Sequence, residues 1–139
     1  MSDPTPAGTA QSFLDENFAD WVRALAPRVT SAGPEGVTLD APITPAIARV
    51  GGIVSGQALA TLADTTMVLA VCAATGAFRP VATVSLETQF LRPATGDRIT
   101  VTATVTRTGR TLAFARATLV AQPSGKVVAT ASATFALPD

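Results

Sequence analysis

The sequence predicts an α+β fold, in which one long antiparallel sheet wraps around one central hydrophobic helix and a second helix sits at the N-terminus. Three observations carry this. From Gly56 to about Ala74 the chain is apolar nearly all round, a pattern that suits a helix surrounded by protein. Beyond Pro80, four stretches alternate apolar and polar residues with the period of a strand. Residues 10–25 place their apolar side chains at helical spacing. At 139 residues the chain is long enough for one core and too short for two.

Taken in order, residues 1–10 are rich in Pro, Gly and Thr and read as a flexible N-terminal tail, leaving 11–139 as a single domain. In "AQSFLDENFADWVRAL" (10–25), Phe13, Leu14, Phe18, Trp21, Val22 and Leu25 share one side and Asp15, Glu16 and Asp20 the other. One amphipathic helix is predicted. "GVTLDAPI" (36–43) reads as a short strand, and "TPAIARVGGIVS" as a loop. The central helix ends at Gly76 in "ATGAFRP". "VATVSLETQFL" (81–91) then sets Ala82, Val84 and Leu86 against Thr83, Ser85, Glu87 and Gln89. "RITVTATVTRTG" (98–109) sets Ile99, Val101, Ala103 and Val105 against threonines, and "TLAFARATLVAQ" and "KVVATASATFAL" are two further strands. Tight links at "RPATGD", "TGR" and "QPSGK" predict an antiparallel meander. Its second face carries threonine and alanine rather than charges, which suits packing against another copy. A homodimer at least is predicted, and a homotetramer built from dimers.

Composition narrows the function. The apolar fraction is 47%, charged residues make up only 14% and the net charge is zero, which argues for a folded chain and against nucleic acid as a partner. The charges are uneven: six of ten acids precede residue 41, and seven of ten bases follow residue 78. Nine of the bases are arginine, which fits either phosphate recognition or a codon bias. With no histidine and a single cysteine, Cys72, structural zinc and histidine-based catalysis drop out, and no metal or cofactor is expected. No secretory signal layout and no uninterrupted apolar span are seen, so a cytoplasmic protein without a membrane segment is expected.

"SGQALATLADTTM" (55–67) holds one carboxylate, Asp64, in an apolar helix. At 100° per residue, Gln57, Thr61, Asp64 and Thr65 fall within about 100° of one another, as a single polar stripe. That stretch also carries a family resemblance. With "PVATVSLETQFLRPATGD", "TRTGRTLAFARATLV" and "SGKVVATASATF", it resembles the hotdog-fold acyl-CoA thioesterases of the phenylacetate-degradation (PaaI-like) type. The match runs from about residue 36 to 136. Family members read His-Gly-Gly with an acid eight residues after the first glycine; here Gly56 and Asp64 stand at that spacing. Ser55 replaces the histidine, Gln57 the second glycine, and Arg49 an upstream asparagine that helps hold the thioester in some members. Thr83 matches a strand serine or threonine.

The resemblance implies hydrolysis of an acyl- or aryl-CoA thioester to free acid and CoA. Asp64 would attack the carbonyl or activate water. Gly56, at a helix N-terminus with free N–H groups, would let the carbonyl approach an oxyanion hole. Gln57 and Thr83 join these as catalytic candidates, with Ser55, Thr65 and Arg110 as substrate-binding ones. Arg110, with Arg79 or Arg92, could hold the CoA phosphates. Eight residues of helix separate Gly56 from Asp64 by about 12 Å along the axis, too far for one carbonyl. Two helices running antiparallel about a two-fold axis would bring Gly56 of one chain beside Asp64 of the other. The bland readings stay open: Asp64 as a buried acid bonded to Thr61 or Thr65, and Gly56 as a turn residue. So does a catalytically weak module that binds thioesters without turnover. Glu87 reads as structural, Met67 and Cys72 as core.

Overall fold

The computed structural model describes residues 5–139. Helix α1 (Pro6–Asn17) starts where Thr5 Oγ1 accepts a hydrogen bond from the Gly8 N–H at 3.1 Å, and Pro6 occupies a position that needs no donor. Pro6 to Ala10 are therefore helical, where the sequence suggested part of a tail over 1–10; residues 1–4 lie outside the described residues. The single helix expected over 10–25 is also corrected. Phe18 and Ala19 are extended, with ψ of 153° and 149°, and only one turn, α2 (Asp20–Arg23), comes after them. The break lets Phe18 fold back onto Phe13, ring centroids 6.1 Å apart, while Phe78 meets Phe13 from another side at 5.8 Å. It also shifts the helical phase of α2 relative to α1, so Trp21 is 62% exposed rather than part of the buried side.

Strand β1 (Arg28–Gly33) was not foreseen; Val29 is its one buried residue, so no alternation marks it. It pairs with β2 (Gly36–Pro42), the first predicted strand. The loop read in "TPAIARVGGIVS" contains a small hairpin, β3 (Ala48–Arg49) and β4 (Ile53–Val54). Central helix α3 (Gly56–Thr75) lies as predicted and stops where Gly76 takes φ of 79°, a left-handed conformation open to glycine. Strands β5 (Ala82–Phe90), β6 (Arg98–Thr108), β7 (Leu112–Gln122) and β8 (Lys126–Ala136) complete the chain.

The six long strands form one antiparallel sheet in the order β1-β2-β6-β7-β8-β5. β6, β7 and β8 are the meander expected, but β5 is not its first member. It lies at the far edge on β8, and "RPATGD" crosses the end of the sheet rather than turning a hairpin. The crossing is anchored on the strands it passes: the Leu91 N–H donates to Val128 O and the Asp97 N–H to Gln122 O, both at 2.8 Å. Gly96 makes it possible, since its φ is 121° and a Cβ there would stand 2.2 Å from Gln122 O.

By length and composition α3 could cross a membrane, but here it is the core helix. Leu62, Met67, Leu69 and Val71 are fully buried against Leu39, Ile99, Val101, Leu119 and Phe135 of the sheet. Truncating one such side chain to alanine costs about 2–5 kcal/mol. The helix-facing positions of β7 and β8 are mostly alanine, namely Ala113, Ala115, Ala117, Ala131 and Ala133, which lets the sheet curl closely round the helix. The opposite face is threonine-rich as expected but not free of charge, because Glu87 and Arg116 project from it on either side of Ser132.

Candidate active site

Two polar features lie along edge strand β5, one at each end. Near its start, the Thr83 hydroxyl donates to Asp64 Oδ1 at 2.9 Å. The contact depends on an irregularity in the strand. Thr83 pairs with the buried Phe135, yet Ser85 pairs with Thr134, so an extra residue at Val84 shifts the alternation. Thr83 thus faces α3 together with Leu86, Thr88 and Phe90. The sequence pattern had set Thr83 with Ser85, Glu87 and Gln89 on the other side, and the bulge corrects it.

Asp64 is half-buried in the middle of α3. Burial pushes its carboxyl above the ordinary value, and the Thr83 hydrogen bond pulls it partly back. The acid is therefore a better proton acceptor than a solvated aspartate and still has a hydroxyl to orient it. Thr61 and Thr65 do not serve it. Thr61 Oγ1 donates to Gln57 O at 2.8 Å, and Thr65 is only 3% exposed, turned away from the wet side of the stripe that Gln57 and Thr61 border. The reading of Asp64 as an acid tied to Thr61 or Thr65 is replaced by its bond to Thr83.

At the other end of β5 lies the N-terminus of α3. Ser55 is its N-cap, accepting from the Ala58 N–H at 3.2 Å. Gly56 comes next, and the Phe90 ring occupies the space beside it: a Cβ on Gly56 would stand 3.2 Å from the ring. Gln57 is exposed. A cleft of about 260 Å³ opens here, bordered by Arg49, Ile53, Gly56, Leu59, Phe90 and Arg92 among others. It combines apolar walls, two guanidinium groups and the partial positive charge of a helix start.

One chain therefore separates what the sequence grouped. Thr83 and Asp64 meet at the start of β5; Ser55, Gly56 and Gln57 gather at its end. Arg110 is exposed in the β6–β7 turn, beyond the Asp64 end, since Leu112 pairs with Ala136 and Ala136 with Ala82. Sequence reasoning missed Phe90, which determines how closely anything approaches Gly56. An aromatic directly before the "LRPATGD" crossing was the available signal. Among the described residues no group of His, Cys, Asp or Glu could hold a metal.

Comparisons with known proteins agree with this fold. The sequence profile described as the Thioesterase superfamily matches residues 51–128, which include α3, β5, β6 and β7. A search of curated proteins gives no significant match. Among solved structures, zebra fish thioesterase superfamily member 2 superimposes with a TM-score of 0.82 at 27% identity, covering 99% of each chain. A thioesterase family protein from Silicibacter pomeroyi gives 0.83 at 26% identity, covering 95% of this chain and 97% of its own. The phenylacetic acid degradation protein PaaI from Thermus thermophilus shares the fold, with a TM-score of 0.75 at 23% identity over 86% of this chain and all of its own.

Proposed function

Because this chain belongs to the thioesterase superfamily and has its hotdog fold, we propose that it hydrolyses an acyl- or aryl-CoA thioester to free acid and CoA, in the manner of the phenylacetate-degradation type. The observation that carries the reading is the half-buried Asp64, raised in basicity by burial and oriented by Thr83, on the edge strand that also leads to the start of α3. Superfamily membership supports thioester hydrolysis in general; the acyl-CoA specificity is our proposal.

The site is completed by a second copy. β5 is the exposed edge of the sheet, and Val84, Leu86, Phe90 and Leu91 leave 61%, 39%, 55% and 52% of their surface uncovered. An exposed apolar edge invites strand pairing. Antiparallel pairing of β5 with its own copy about Glu87 keeps helix-facing residues opposite helix-facing ones and, past the extra residue at Val84, sets Phe90 of one chain opposite Thr83 of the other. Gly56 of one protomer then faces Asp64 of its partner across one cleft, which removes the axial separation of about 12 Å within a chain. A homotetramer results if two such dimers pack.

In that cleft Asp64 takes a proton from water as the water oxygen attacks the thioester carbonyl. The carbonyl oxygen gains charge facing the N–H groups at the start of α3. Collapse breaks the carbon–sulfur bond, and the proton held by Asp64 goes to the CoA thiolate. Phe90 must turn aside to admit the carbonyl at Gly56.

A steady-state panel of acyl- and aryl-CoA esters tests the reading. Turnover of at least one ester, lost in Asp64→Asn, is the expected result. The alternative is a module that binds such thioesters without turning them over, favoured by the Phe90 ring on Gly56 and by Ser55 serving as a cap. Saturable binding with no turnover on any ester would establish it instead.

A further inference from the structure

The cleft at Gly56 carries positive charge and no negative charge of its own. Arg49 and Arg92 border it beside Ile53, Leu59, Phe90 and Leu91, and no Asp or Glu lines it. Neither arginine is in an ion pair among the described residues. A guanidinium beside apolar walls suits a carboxylate brought by a ligand, which it can hold with two parallel N–H groups.

The β3–β4 hairpin places Arg49 there. Arg49 pairs with Ile53, so the two side chains share one face of the hairpin, and Ile53 borders the same cleft. The Gly52 N–H closes the turn between them by donating to Arg49 O at 3.0 Å. Gly51 and Gly52 hold φ of 91° and 74° in that turn, left-handed values that glycine adopts without strain. The hairpin is tied down at its base, where the Val54 N–H donates to Ala94 O at 2.9 Å and the Ser55 N–H to Ile47 O at 2.8 Å. Arg49 is thus positioned through its backbone, while its side chain is exposed and has no carboxylate to hold.

A thioester held at Gly56 sends two arms from its carbonyl, the acyl group and the sulfur-linked carrier. We infer that Arg49 reads the acyl arm: the site takes an acyl or aryl group that ends in its own carboxylate, and that carboxylate pairs with the Arg49 guanidinium while the carbonyl lies at Gly56. The inference rests on the proposed thioester hydrolysis and names the acyl class within it. A carboxylate next to the carbonyl would meet the charge of Asp64, so it belongs at the far end of the acyl group. The cleft, at about 260 Å³, is smaller than the roughly 300–1,000 Å³ of sites for larger ligands, which fits a short chain or a single ring. The resemblance places a neutral asparagine at position 49, so the charge is this chain's own. With zero net charge overall, the pull on a carboxylate must be local and will weaken with salt.

The experiment compares acids with their terminal amides on the same carrier: adipoyl-CoA with its carboxamide, and para-carboxybenzoyl-CoA with its carboxamide. Each pair differs in charge and hardly in shape. Wild type should prefer the acid in at least one pair by about fivefold in kcat/KM, the scale of one exposed charge-assisted contact. Arg49→Asn should bring that ratio to about one, and Arg49→Glu should reverse it by repelling the acid. No preference for the acid in either pair would overturn the inference. So would an equal fall on acid and amide in Arg49→Asn, the mark of a contact with the carrier, and so would turnover of other acyl-CoA esters but of none of these. If wild type hydrolyses no ester at all, the thioesterase reading fails. Calorimetric titration with adipoyl-CoA and its carboxamide then decides the carboxylate site alone. Tighter binding of the acid, lost in Arg49→Asn, keeps the site; equal binding or none removes it.

Discussion

Asp64 is held between two opposing influences, and that balance makes predictions for one residue. Burial raises its pKa and the Thr83 hydroxyl lowers it, with burial the larger. The folded-state value therefore lies above the unfolded one. Below the unfolded value the acid is protonated in both states and costs nothing; above the folded value it is ionised in both, and the cost of burying the charge is complete. Asp64→Asn should accordingly raise Tm at pH 7, and its advantage should fade as pH falls through the carboxylate range; thermal melts across that range measure it. Turnover should drop roughly 10²-fold or more, because the positioned proton acceptor is gone. Wild-type turnover in this variant would put the chemistry elsewhere. Thr83→Val removes the one contact that lowers the Asp64 pKa, so the acidic limb of the kcat/KM profile should move to higher pH. An unmoved limb would mean that another group titrates.

At the scale of elements, α3 depends on its first residues in separable ways. Ser55→Ala deletes the hydrogen bond to the Ala58 N–H and should cost about 1 kcal/mol, read by denaturant unfolding. Gly56→Ala should barely change stability, since the added Cβ meets only the far edge of the Phe90 ring at 3.2 Å and a small turn of that ring relieves it, yet it should cut turnover by narrowing the approach to the helix N–H groups. Comparable losses in both variants, on both measurements, would mean that the helix start is only structural. The ends of this helix were legible in the sequence because caps are local: Ser55, Gly56 and Gly76 act through neighbours in the chain. The break at Phe18 was not, because Phe18 fits a helical stripe and turns back only for the rings of Phe13 and Phe78. β1 was illegible because a strand with one buried side chain has no alternation to read. Thr83 was assigned to the wrong face for a related reason, since the bulge at Val84 exists only in the pairing of β5 with β8.

At the scale of the whole molecule, the sequence misplaced one strand, and the site depends on where that strand lies. A short link after β5 suggested a hairpin with β6; the chain instead crosses the sheet end and leaves β5 as an apolar edge. Light scattering at micromolar concentration should find at least a dimer. Leu86→Arg, next to the centre of the proposed pairing, should reduce it to monomer and abolish hydrolysis together. A sharper test uses two inactive proteins. Asp64→Asn lacks the carboxylate but keeps the helix start; Gly56→Val keeps the carboxylate but blocks the helix start with a branched side chain at the Phe90 ring. If each site draws Asp64 from one protomer and Gly56 from the other, a mixed dimer contains one site with both defects and one intact site. Random exchange at equal concentrations makes half the dimers mixed, so activity should recover to about a quarter of wild type. If Asp64 and Gly56 of the same chain formed each site, every site in the mixture would carry one defect and activity would stay at the level of the separate variants.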